Sequence, residues 1–163
     1  ASSFSANLVR SAIFSILEPY LDASRVLDLF SGTGALGMEA LSRGAEWVDF
    51  VESDSRQCFA IKTNLKSLGY AAFGDVHRAA TERAITMLNG SYDVILMDPP
   101  YSYPSLEPLL GKIGESSISH IGSVVAVEHS HRQVLPLEAD GLRLIKQRRY
   151  GETMVTVYQQ EDG

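Results

Sequence analysis

The chain has 163 residues, of which 45% are hydrophobic, so it is long enough for one domain with a buried core. No apolar run approaches the roughly 18 residues of a membrane span, no secretory signal is recognisable, and the lone Cys58 allows no internal disulfide, so we expect a cytoplasmic protein. The formal net charge of −6 argues against an overall basic surface for nucleic acid, although Arg143, Lys146, Arg148 and Arg149 form a local basic cluster.

Short β-branched runs alternate with helical stretches along the whole chain, which predicts a single domain over residues 1–163. An N-terminal helix is expected to end before Pro19, and Gly151 is expected to turn the last two strands into an antiparallel pair. These elements predict a doubly wound sheet whose ligands bind at the carboxyl ends of its strands. In chain order they are helix 5–17, strand 25–30, helix 35–43, strand 47–52, helix 55–68, strand 73–78, helix 80–88, strand 92–97, helix 105–114, strand 124–128, a helical or irregular connection through Pro136, and strands 142–150 and 153–159.

A glycine loop, Ser31 to Gly37, follows the first strand and opens the next helix. Its glycines permit a tight turn and close approach of the backbone to a ligand. The spacing also fits a dinucleotide site. Asp28, however, lies inside the strand, where it can hold the loop or a cationic ligand such as S-adenosylmethionine. Glu52, at the end of the second strand, suits an acid that accepts hydrogen bonds from ribose hydroxyls, which both cofactor classes contain.

The second motif is Asp98-Pro99-Pro100-Tyr101, directly after the apolar strand that ends at Met97. Two prolines stiffen the loop, so a carboxylate and a fixed carbonyl can accept both hydrogens of a planar amine. Tyr101 offers a ring on which a base can stack. The motif therefore predicts methyl transfer to an exocyclic amino group, with nitrogen, methyl and sulfur held in line.

With both motifs placed, the chain resembles the bacterial 16S ribosomal RNA guanine-N2 methyltransferases, and the similarity covers nearly its whole length. The residues that carry the resemblance are Val9-Arg10, Ile13-Phe14, the span from Leu27 to Gly37, Glu39 to Gly44, Val51 to Asp54, Asn64-Leu65, Asp98 to Tyr101 and Arg149 to Thr153.

The resemblance implies a three-layer α/β fold with a seven-stranded sheet of order 3-2-1-4-5-7-6, its last strand antiparallel. It implies S-adenosylmethionine as cofactor and small-subunit rRNA, within a ribosomal particle, as substrate for a monomeric enzyme without metal. The implied cofactor-binding residues are Asp28, Phe30, Gly32, Thr33, Gly34, Gly37, Glu52 and Ser53; the implied catalytic residues are Asp98, Pro99, Pro100 and Tyr101; the implied RNA-binding residues are Arg10, Arg148 and Arg149.

The chain departs from the family pattern at three places. The acid expected after the third strand, against the adenine, is replaced by Ala79 or Ala80, and Ser11 stands where a Glu usually follows Arg10. A basic hairpin is expected before the first helix, and the sequence given does not contain it.

Two alternative functions remain open at this stage. An adenine-N6 or other amino methyltransferase acting on nucleic acid uses the same Asp-Pro-Pro-Tyr device, and a catalytically silent RNA-binding domain can share the fold. The four histidines, His77, His120, His129 and His131, lack the spacing of a zinc site, so we expect no metal.

Overall fold

The computed structural model describes residues 3–161. It contains five α-helices, eight strands and a short 3₁₀ helix over Ala71–Phe73. The elements in chain order are α1 (Ser3–Leu21), β1 (Arg25–Leu29), α2 (Ala35–Ser42), β2 (Trp47–Glu52), α3 (Ser55–Ser67), β3 (Gly74–Arg78), α4 (Thr81–Met87), β4 (Tyr92–Met97), α5 (Glu107–Glu115), β5 (Ser119–Ser130), β6 (Glu138–Ala139), β7 (Leu142–Tyr150) and β8 (Thr153–Gln160).

The strands form one sheet of order β3-β2-β1-β4-β5-β8-β7-β6. Strands β1 to β5 run parallel, whereas β8 lies antiparallel between β5 and β7. Without the two-residue β6, the remaining seven strands have the expected order 3-2-1-4-5-7-6, so the predicted fold is confirmed. The eighth strand is an addition that the sequence did not predict.

Helices cover both faces of the sheet, which gives three layers. One core lies under α1, α2 and α3 and contains Phe14, Phe50 and Ile61; the other lies under α4 and α5 and contains Ile85 and Leu110. The strands in the middle of the sheet, β1, β2 and β4, are largely buried and read as mostly apolar runs, whereas the edge strand β3 is half-exposed. No helix in the described residues is long and apolar enough to cross a membrane.

Two predicted boundaries were wrong by more than two residues. Helix α1 continues through Pro19 to Leu21, because Leu17 and Leu21 are fully buried and their packing offsets the helical hydrogen bond that a proline cannot make. Strand β5 begins five residues earlier than expected, at Ser119, since polar residues and Gly122 obscure its amino-terminal half. The connection through Pro136 contains turns and no helix, so the irregular one of the two predicted alternatives is confirmed.

Candidate active site

The carboxyl ends of four parallel strands meet at one edge of the sheet, and each carries a polar group. β1 leads into the glycine loop, β2 ends at Glu52, β4 is followed by Asp98, and Glu128 lies near the end of β5. The two sequence motifs are therefore brought together where a doubly wound sheet binds its ligands.

The glycine loop has the backbone conformation that its residues suggested. Gly32 and Gly34 have φ values of +58° and +82°, and a side chain at Gly32 would meet open space within 4 Å. Gly37 serves packing instead, because an added Cβ would lie 2.3 Å from the Phe50 ring. Phe30 also has a positive φ, 58°, which turns the chain out of β1. The loop thus presents a bare backbone to the space above it.

Glu52 holds the glycine loop from the end of β2. One carboxylate oxygen accepts the Gly32 N–H at 2.8 Å, and the other accepts the Asp54 N–H at 2.8 Å. Each oxygen retains a second lone pair. Glu52 is therefore fixed in orientation and can still accept hydrogen bonds from a ligand.

Asp28 is buried in β1 and accepts the Gly37 N–H at 3.1 Å. Burial raises the pKa of this carboxyl well above its ordinary value, and the nearby Asp98 acts in the same direction, while the bond from Gly37 opposes them. Asp28 thus ties the first turn of α2 to the sheet. The sequence left two roles open for Asp28, which were to hold the glycine loop or to bind a cationic ligand. The structure shows that Asp28 holds the loop.

A cleft of about 440 Å³ lies above the glycine loop. Its walls carry both expected residues and residues that sequence reasoning missed, among them Tyr103 and Glu82. The lining residues are Phe30, Gly32, Val51, Glu52, Ser53, Ala79, Ala80, Thr81, Glu82, Asp98, Pro100 and Tyr103. Thr33 is exposed at the loop tip, outside this lining.

Tyr103 and Glu82 close one side of the cleft together. The Tyr103 hydroxyl donates to the Glu82 carboxylate, which lowers the pKa of that carboxyl. The Tyr103 ring packs edge-on against Phe30 with 5.1 Å between centroids. A regular sequence pattern could not reveal this wall, since its residues lie in a loop, a helix start and a turn.

The cleft fits S-adenosylmethionine in its chemistry. The Glu52 carboxylate suits ribose hydroxyls, the open face of Gly32 allows close approach, and Phe30, Val51 and Pro100 supply apolar surface for a planar ring. Ala79 and Ala80 line the cleft where the family would place an acid, so this chain offers small apolar side chains there.

Asp98 lines the cofactor cleft, and Tyr101, three residues further along the same loop, lines a second pocket. Its side chain reaches solvent, and desolvation by the surrounding protein raises its pKa to about 6. Pro99 is buried, whereas the Pro100 carbonyl accepts the Tyr103 N–H at 2.9 Å. Tyr101 is 77% exposed. The loop therefore presents a carboxylate and a ring from a fixed backbone.

The second pocket, of about 570 Å³, shares no lining residue with the cofactor cleft, and its Glu128 is close enough to Asp98 for the two charges to interact. Tyr101 and Tyr150 supply aromatic walls, and Glu128 supplies a carboxylate. Sequence reasoning identified Glu128 only as the end of a strand. The feature that could have identified Glu128 is an acid at the end of a predicted apolar strand, next to the strand that leads to Asp98.

The three arginines expected to bind RNA lie near the carboxyl edge of the sheet. They do not share one face of the sheet. On β7, Arg148 is paired with the buried Val155 and Arg149 with Met154, so their side chains point to opposite faces of the sheet. Arg149 donates to the Gly151 carbonyl at 2.8 Å. On α1, Arg10 donates to Asn7 at 2.6 Å and lies 3.7 Å from a Glu39 oxygen.

One cluster of candidate metal ligands occurs in the described residues, at Asp49, Asp75 and His77. The Asp49 carboxylate already accepts the Tyr92 hydroxyl at 2.6 Å and lies 2.8 Å from the His77 ring. These contacts explain the cluster as a hydrogen-bond network. It lies toward the edge of the sheet opposite to Asp98.

Comparison with known proteins gives consistent matches over most of the chain. A family model described as "Conserved hypothetical protein 95" matches residues 5–159. The chain is 36% identical to a Bacillus subtilis protein, "Putative rRNA methyltransferase YlbH", over 92% of this chain and 83% of that protein. It is 28% identical to "Ribosomal RNA small subunit methyltransferase D" of Haemophilus influenzae, over 93% of this chain and 79% of that protein.

Solved structures share the architecture. A conserved hypothetical protein of Streptococcus pyogenes, 32% identical, superposes with a TM-score of 0.87 over 93% of this chain and 95% of that one. An RNA methyltransferase from Salinibacter ruber, in complex with S-adenosyl-L-homocysteine, has the same fold at a TM-score of 0.73 and 16% identity, over 96% and 92% of the two chains.

Proposed function

This chain belongs to the family described as conserved hypothetical protein 95, and we propose that it transfers a methyl group from S-adenosylmethionine to the N2 amine of a guanine in small-subunit ribosomal RNA. The observation that carries the proposal is that Asp98 lines the cofactor cleft while its neighbours Tyr101, on the same loop, and Glu128, which senses the Asp98 charge, line the second pocket. The rRNA substrate is supported by the names of the relatives.

The cofactor supplies a methyl group on a sulfonium, which is an electrophile. Glu52 accepts hydrogen bonds from the ribose, and Ser53 adds a polar group beside it. Asp28, Gly34 and Gly37 act indirectly, because they fix the loop on which the cofactor lies.

On the acceptor side, Asp98 accepts one hydrogen of the guanine amine. The Pro100 carbonyl is engaged by Tyr103, so we assign the second hydrogen to the Pro99 carbonyl. Accepting both hydrogens increases electron density on N2 and aims its lone pair at the methyl carbon. The N2–carbon bond forms as the sulfur–carbon bond breaks, and the surplus proton leaves N2 along its hydrogen bond to Asp98.

Tyr101 stacks on the guanine ring in the second pocket. Its exposure fits this role, since a base must leave its own stack before it can enter an enzyme pocket. Stacking of one base on an aromatic side chain contributes about 1–3 kcal/mol.

We further propose that Arg10, Arg148 and Arg149 contact RNA phosphates around this edge. The enzyme would act in the cytoplasm, as a monomer without metal, on rRNA held in a ribosomal particle.

The test is transfer of labelled methyl from S-adenosylmethionine to unmodified small subunits, naked rRNA and duplex DNA, followed by nucleoside analysis. We expect N2-methylguanosine on the small subunit. Label recovered as N6-methyladenosine would establish the alternative acceptor, which uses the same loop. Cofactor binding without label on any acceptor would favour the silent RNA-binding domain.

A further inference from the structure

Asp98 and Glu128 are neighbours across two adjacent strands. In the β4–β5 register Leu96 is paired with Ala126 and Met97 with Val127, so Asp98 and Glu128 come next on their two strands. Strands in a sheet lie about 4.8 Å apart. The two carboxyl groups therefore stand side by side at the site.

Alternation along both strands sends the two side chains to the same face. Leu96 and Ala126 pack in the core under α1, and residues two positions further along a strand point the same way. Glu128 accordingly lines the 570 Å³ pocket beside Tyr101. When a base stacks on Tyr101 and places its amine at Asp98, the ring atom beside that amine faces Glu128.

The groups around Glu128 set the pH above which it is an ionised acceptor. Desolvation and the neighbouring Asp98 raise its pKa to about 7, whereas Arg10 on α1 lowers it. Arg10 is itself engaged with Asn7 and Glu39, and Glu152 faces the same pocket from the turn after β7. Within the part of the chain that the structure describes, no hydrogen bond contributes to the pKa of the Glu128 carboxyl, which leaves its oxygens open to a ligand.

Building on the proposed function, we propose that Glu128 is a specificity-determining residue that accepts the N1–H of the target guanine. Guanine carries a hydrogen on the ring nitrogen beside its N2 amine. The ring nitrogen beside the amine of adenine or cytosine has a lone pair instead, which an ionised carboxylate repels. Asp98 would hold the amine in either case, so Asp98 alone does not distinguish these bases, whereas the Asp98–Glu128 pair does.

The test uses 2-aminopurine, which keeps the N2 amine of guanine and lacks the N1 hydrogen. Small subunits are assembled from rRNA in which the methylated guanosine, once mapped, is replaced by 2-aminopurine riboside. Single-turnover transfer is measured for the wild type, for Glu128→Gln and for Glu115→Gln. Glu115 is an exposed acid just before the start of β5, at the opposite edge of the sheet, and serves as the matched control.

We expect Glu128→Gln to reduce the preference for guanine over 2-aminopurine about 10- to 100-fold, the effect of one hydrogen bond to a charged group. The amide can turn its N–H toward the bare ring nitrogen, so the loss should fall on guanine and the gain on 2-aminopurine. Glu115→Gln should keep the wild-type preference. Melting temperature and cofactor affinity, measured in parallel, should be close to wild type for both variants.

Equal preference in the wild type and Glu128→Gln would overturn this inference and leave the proposed function intact. Loss of transfer to both bases with cofactor affinity unchanged would also overturn it, because Glu128 would then serve the reaction and not base choice. Wild-type protein that forms no N2-methylguanosine would overturn both proposals.

Discussion

Asp98 and Glu52 serve opposite partners of the proposed reaction, which makes them separable by mutation. Asp98→Ala removes the acceptor of the amine hydrogen and is expected to lower transfer about 10²–10⁴-fold, with cofactor affinity within a few-fold of wild type. Glu52→Ala removes the group that faces the ribose and supports Gly32, so cofactor affinity should fall about 10- to 100-fold. Isothermal titration with cofactor and single-turnover transfer separate the two effects.

Glu46→Ala, at an exposed position just before β2, is the control for this pair. Parallel losses of affinity and transfer in Asp98→Ala would contradict the placement of Asp98 on the acceptor side. An unchanged affinity in Glu52→Ala would contradict its ribose role.

The raised pKa values of Asp98 and Glu128 predict how transfer depends on pH. Both groups work as acceptors only when ionised, and their pKa values are about 6 and about 7. Transfer should therefore rise with pH and be half-maximal in that interval, where the two neighbouring carboxyls titrate as a pair. Glu128→Gln removes the group with the higher pKa, so the rise should move to lower pH, toward the pKa of Asp98.

Single-turnover rate constants with saturating cofactor between about pH 5 and pH 8 measure this profile. A flat profile in the wild type would show that ionisation of these carboxyls is not required. An unshifted profile in Glu128→Gln would show that Glu128 does not couple to the reaction.

At the scale of single residues, the sequence predicted those that sit in recognisable loops. Asp98 and Glu52 follow apolar strands, so their places at the carboxyl edge were foreseeable, and the structure puts both at the cleft. Glu128 and Tyr103 were missed, because their positions depend on strand register and on side-chain packing between distant segments. Asp28 looked like a possible cofactor ligand, and its burial under α2 became clear only in three dimensions.

At the scale of elements, α2 can lie close to the sheet only because position 37 has no side chain. A Cβ at Gly37 would come within 2.3 Å of Phe50 and 3.0 Å of an Asp28 oxygen. Gly37→Ala should therefore destabilise the protein by about 1–3 kcal/mol through overpacking. It should also weaken cofactor binding, since displacement of α2 shifts the glycine loop.

Chemical denaturation and cofactor titration measure both consequences. Ala35→Ser, on the exposed side of the same helix, adds one heavy atom without a clash and should stay within about 0.5 kcal/mol of wild type. A Gly37→Ala variant as stable as this control would mean that Phe50 can move aside at little cost.

The element boundaries show where local patterns suffice. The predicted bounds of β2 and β4 match the structure, because each is a mostly apolar run with an acid at its last position or directly after it. The end of α1 was wrong because a local rule about Pro19 was outweighed by burial of Leu21. The short β6 could not be predicted, since it exists only through pairing with β7.

At the scale of the whole molecule, an acidic protein places part of its positive charge beside its active edge. Lys146 and Arg148 are paired with Val157 and Val155, which point into the core under α1, so both basic side chains share the sheet face that α1 and Arg10 cover. The net charge alone did not predict this distribution. The position of these basic side chains supports an rRNA path across this face of the sheet toward Tyr101.

This arrangement predicts a position-dependent effect of charge on RNA binding. Affinity for a small-subunit rRNA fragment should fall with added salt, and Arg148→Gln should reduce the magnitude of the log–log slope by about 0.7 to 1, the loss of one phosphate contact. Arg143→Gln removes the same charge at the other end of β7, where Arg143 lies 3.5 Å from Glu161, and should leave the slope unchanged. Because both variants alter the net charge equally, equal slopes in the two would mean that RNA senses the overall charge, whereas a smaller slope in Arg148→Gln alone would locate the RNA path beside Tyr101.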